Sequence, residues 1–136
     1  MHVRVLFLLL VLQLACNYSF CQVKDSTGVY VMGAPFDMMT FARITCEKFG
    51  STQPPWMKYR HVIHQDTLAM LDSFLKKVKY KRRNNEIDVR AKMLYIKADK
   101  VRTFICMNDN DIMINGRLIE QNDPFITFLR SLTPYK

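Results

Sequence analysis

Glycine is scarce in this chain of 136 residues: four occur, at positions 28, 33, 50 and 116. So few and so scattered, they build neither a dinucleotide-binding fingerprint nor a phosphate-cradling loop, and nucleotide chemistry of those kinds is excluded. Long apolar runs are missing too. The longest, Val5–Leu12, spans eight residues, whereas a bilayer-spanning helix takes about 20. There is no G-x-S-x-G elbow, and Ser26, Ser51, Ser73 and Ser131 lack recognisable partners, so serine nucleophilic catalysis has no foothold. Asn108-Asp109-Asn110-Asp111 fails as a calcium loop. Counted from Asp109, the fifth and sixth positions are Met113 and Ile114, where an EF-hand needs an oxygen ligand and then glycine. No internal repeat and no low-complexity tract is present.

What is present begins with a leader. Arg4 precedes Val5–Leu12, and small residues follow at Ser19 and Cys21, the pattern of a secretory signal peptide cut before Gln22. Residues 1–21 are therefore expected to be a signal peptide and residues 22–136 a single globular domain, either of a bacterial envelope or secreted from a eukaryotic cell. Leu14-Ala15-Cys16 competes as a partial lipobox, with Gln13 where an aliphatic residue is usual, and would tether the domain through a lipid at Cys16. The leader carries Arg4 and no acidic residue, so its removal takes the net charge from +8 to +7. Such a balance favours anionic partners through long-range attraction. Under the preferred cut Cys16 and Cys21 leave, and Cys46 and Cys106 remain as a pair in an oxidising compartment. A disulfide between them is expected.

Along the mature chain, Val29–Met32 has strand composition and stops at Gly33-Ala34-Pro35. Residues 38–49 read either way. Met38, Phe41, Ala42, Thr45 and Phe49 share a helical face between Asp37 and Gly50, but Ile44, Thr45 and Cys46 favour the strand reading adopted here. After Pro54-Pro55, Met57–His64 alternates as a strand with Met57, Tyr59, His61 and Ile63 mostly inward. A helix follows Asp66 as N-cap, with Leu68, Leu71, Phe74, Leu75 and Val78 on one stripe. Ile87–Lys97 and Val101–Met107 are strands. Ile112–Ile114 meets Arg117–Ile119 across Asn115-Gly116, a type I′ hairpin signal. Asp123 as N-cap and Pro124 open a short final helix. The order predicts an α+β domain, an antiparallel sheet of hairpins covered on one face by one long and one short C-terminal helix.

Lys76, Lys77, Lys79, Lys81, Arg82 and Arg83 place six cations in eight positions, with Tyr80 among them. This is the candidate patch for an anionic partner, set against the plainer role of a solvated helix end. No base-reading motif accompanies it, so specific nucleic-acid recognition is not expected. His61 and His64, near Asp66, are three apart and on a strand point to opposite faces, a poor metal pair. Asp88, Arg90 and Lys92, with Arg102 on the next strand, read as an ion-pair ladder. No catalytic, cofactor or metal site is expected. The function implied is a small exported, non-enzymatic domain that binds a protein or an anionic envelope component. Two alternatives stand beside it: an inhibitor or immunity-type protein against an exported enzyme, and a small secreted hydrolase using Cys46 or Cys106 with His61 or His64.

Overall fold

The computed structural model describes residues 26–51 and 54–135, so the expected leader and Cys16 and Cys21 lie outside the described residues. Six strands form one sheet: β1 (Gly28–Gly33), β2 (Lys58–Val62), β3 (Ala91–Ile96), β4 (Arg102–Met107), β5 (Ile112–Ile114) and β6 (Arg117–Leu118). Their spatial order is β2-β1-β3-β4-β5-β6 and every pairing is antiparallel. Two helices, α1 (Gln65–Lys77) and α2 (Asp123–Leu132), complete an α+β domain. They have 13 and 10 residues and so differ by less than one turn.

Alternation sorts the strands into two apolar sets. Val29, Val31, Ala91, Met93, Tyr95, Ile105, Met107 and Ile112 join Leu68 and Leu71 of α1 and Phe125, Ile126, Leu129 and Leu132 of α2 in one core cluster. Phe74 links the helices there, its ring stacked 4.8 Å from Phe125 and 5.3 Å from Phe128. The second cluster takes Cys106, Met113 and Leu118 from the intervening positions. It adds Ile87 and Val89 together with Ala34, Phe49 and Met57 of the long β1–β2 connection. The β1–β2 connection and the chain just before β3 thus supply apolar partners in this cluster.

The segment 38–49 is neither strand nor helix but a chain of turns. Its backbone partners lie elsewhere: Val89 N–H donates to the Ile44 carbonyl at 2.8 Å, and Ile44 N–H donates to Asp88 at 2.8 Å. Phe49 is buried while Phe41 is fully exposed, so one residue of the expected face enters the core and another does not.

Several boundaries also move. β2 begins at Lys58, and Tyr59, His61 and Ile63, expected inward, are exposed because this is an edge strand whose buried residue is Val62. α1 starts one residue before Asp66, with His64 as a cap that makes no side-chain bond. α2 is capped by Asn122, which accepts from Phe125 N–H at 3.1 Å, one residue earlier than expected. β3 starts at Ala91 rather than Ile87, since upstream of it Val89 N–H turns from the sheet to the Ile44 carbonyl of the β1–β2 connection. The Asn115-Gly116 hairpin is as the sequence predicts: both residues have positive φ, 48° and 78°.

Candidate functional site

The six cations of residues 76–83 are arranged by two elements. Lys76 and Lys77 occupy the last turn of α1, where positive charge is favoured by the unpaired carbonyls of the helix end. The chain then turns extended and runs beside β6. Tyr80 bridges Ile119, Lys81 N–H donates to the Leu118 carbonyl at 2.9 Å, and Glu120 N–H donates to the Lys79 carbonyl at 2.7 Å. The middle of the basic segment is thereby held against the sheet edge by an isolated β-bridge.

Arg117 of β6 joins it, its guanidinium 4.2 Å from the Tyr80 ring centroid. Sequence reasoning missed this residue, although its place beside the Asn115-Gly116 turn could have brought it to notice. One charge is neutralised: Lys81 Nζ lies 3.1 Å from Asp111. Lys76, Lys77, Lys79, Arg82, Arg83 and Arg117 are exposed and form no ion pair among the described residues. They make a cationic ridge.

Cys46 and Cys106 form a disulfide, with Cα atoms 5.8 Å apart and a sequence separation of 60. The bond ties the β1–β2 connection to β4. Asp88 ties the same connection to the chain before β3, accepting from Ile44 N–H and, at 2.7 Å, from Arg90. Burial pushes the Asp88 carboxyl pKa up, but the Ile44, Arg90 and Thr40 hydrogen bonds and the Arg90 charge outweigh it and leave the value lowered. Of the expected ladder, Asp88 pairs with Arg90 at 2.7 Å, Lys92 forms no ion pair among the described residues, and Arg102 lies opposite Ile96.

His61 is exposed on β2, stacked on Tyr30 at 4.1 Å, and His64 precedes α1 with Nδ1 4.0 Å from Asp66. Neither approaches the disulfide in sequence or in strand order, since β2 and β4 are separated by β1 and β3. Among the described residues no three His, Cys, Asp or Glu side chains converge.

A groove of about 620 Å³ opens beside the disulfide. Thr45, Cys46 and Glu47 of the connection line it, together with Asn84, Glu86 and Ile87, the strand residues Lys92, Phe104 and Met113, and the Asn115-Gly116 turn. Comparison with known proteins returned no matching family model, no similar curated protein and no similar solved structure.

Proposed function

We propose that this protein is a small exported binding domain without catalytic activity, and that it meets an anionic component of the cell envelope or its surroundings through the cationic ridge. The observation that carries this reading is the bridge of Tyr80 to Ile119 with the flanking backbone bonds of Lys79 and Lys81, which anchors the middle of the cation run at the sheet edge and brings Arg117 beside it. A floppy basic tail would lose conformational entropy on binding, whereas a fixed ridge has met that cost in folding. Export is supported by the disulfide, a bond that persists in oxidising compartments. No helix among the described residues is long and apolar enough to cross a membrane. Against the cysteine hydrolase, its two candidate nucleophiles, Cys46 and Cys106, are joined to each other.

Two anionic probes test the reading: dextran sulfate in solution and phosphatidylglycerol vesicles compared with phosphatidylcholine vesicles. Binding to at least one is expected, weakening steeply as salt is raised because exposed charges are screened within about 10 Å at 0.1 M. Reversal of Lys76, Lys77, Arg82 and Arg83 to Glu should abolish it. Binding that survives this reversal overturns the assignment of the ridge.

A further inference from the structure

We propose that the groove beside the disulfide is a second, separate site, which takes a ligand carrying one carboxylate on an aromatic or aliphatic body, with Lys92 as its anchor. At about 620 Å³ the groove has the size of a small-molecule pocket. Lys92, Cys106 and Met113 stand in one cross-strand row over β3, β4 and β5, and Phe104 lies two residues from Cys106 on the same strand face. A cation thus sits directly beside apolar surface.

Lys92 differs from the other cations withdrawn from solvent. Buried Arg90 has Asp88 at 2.7 Å and half-buried Lys97 has Asp72 at 2.9 Å. Lys92 is half-buried and has neither an ion pair nor a hydrogen bond among the described residues, and its nearest ring is Phe104 at 6.0 Å. Burial lowers its pKa, against an opposing pull from Glu47 too distant to form an ion pair. A charge withdrawn from water without a partner costs stability, and a bound anion removes that cost.

Other polar groups of the groove are spent on the fold. Asn84 donates to the Gly116 carbonyl and accepts from Leu118 N–H, while the Asn115 side-chain oxygen accepts from Phe104 N–H. Glu47 and Glu86 set two carboxylates against the one ammonium. Those two carboxylates leave no positive charge for a doubly charged phosphate, so a single carboxylate is the most that the one ammonium can pair. Phe104, 41% exposed, offers the face for the apolar body.

Calorimetric titration of the full mature protein tests this with four probes: N-acetylphenylalanine, its amide, acetate, and an N-acetylated Ala-Ala-Phe peptide with a free C-terminus. One or both of the aromatic acids should bind saturably. The amide and acetate should each bind at least about tenfold more weakly, the one lacking the charge and the other the ring. Lys92→Met and Phe104→Ala should each lose at least about tenfold for the acids. Phe104 is exposed enough for its variant to fold, which keeps the test open should Lys92→Met not fold. Tighter binding of the peptide identifies a peptide C-terminus as the source, and equal or tighter binding of the amino acid identifies a free small acid. Absence of saturable binding by both acids, equal affinity for the amide, or unchanged affinity in Phe104→Ala overturns the proposal.

Discussion

Single side chains hold the molecule at two titrating points with opposite pH dependence. Asp88 has a lowered pKa, so the stability it supplies is present above its ordinary value of 3.8 and is lost as pH falls through the lower folded value. Replacing Asp88 by Ala removes the Ile44 and Arg90 bonds and leaves a buried guanidinium without its partner. A loss of about 1–3 kcal/mol is expected in urea unfolding at neutral pH, shrinking in strong acid; a difference that stays constant with pH contradicts this. Tyr95 lies at the other extreme. Burial first, and then its hydrogen bond to Asp72 at 3.1 Å and the charges of Asp72 and Asp99, push its pKa up to about 12 from 10.0. Its neutral form is favoured in the fold, so that stability is complete below about pH 10 and is lost as pH rises towards 12. Tyr95→Phe should therefore flatten the alkaline limb of a stability-versus-pH curve, and an unaltered limb would count against the Asp72 contact.

At the level of elements, the disulfide decides how the β1–β2 connection lies. By the chain-entropy estimate, a bond across 60 residues stabilises the fold by about 4 kcal/mol. Reduction should lower the denaturant midpoint accordingly and expose Phe49 and Met57, which dye binding to apolar surface would register; an unchanged midpoint would contradict it. The helix caps are a smaller lever: Asn122→Ala should cost α2 about 1 kcal/mol in the same assay, since it frees Phe125 N–H. These elements also show where sequence reading works. The Asn115-Gly116 hairpin, the apolar stripe of α1 and the β3–β4 pair are encoded locally, by backbone preference and periodicity, and were legible. Residues 38–49 were not, because Ile44 is fixed by Asp88 and Val89, more than 40 residues away; of this segment only the bond of Cys46 to Cys106 was foreseen. Periodicity misled for β2: this edge strand buries only Val62, a residue of the set expected outward, opposite the core residue Val29, while Tyr59 and His61 are exposed. The cation run was visible as composition. Its attachment to β6 and the addition of Arg117 depend on chain return and were not.

Taken whole, the molecule carries its excess charge unevenly, and the position of the cations is distinguishable from their total. A net charge of +8 would draw any polyanion weakly. The ridge claim is stronger, because it requires that cations at residues 76–83 and at Arg117 matter while equally exposed cations elsewhere do not. The most direct measurement is equilibrium binding to dextran sulfate, at one ionic strength, of three proteins. These are the wild type, the Lys76/Lys77/Arg82/Arg83→Glu variant, and a variant reversing Arg43, Lys48, Lys58 and Lys100, which lowers the net charge by the same amount. The account predicts that the first variant loses binding while the second stays close to wild type. Equal losses in the two variants would show that net charge alone is responsible and would contradict the ridge.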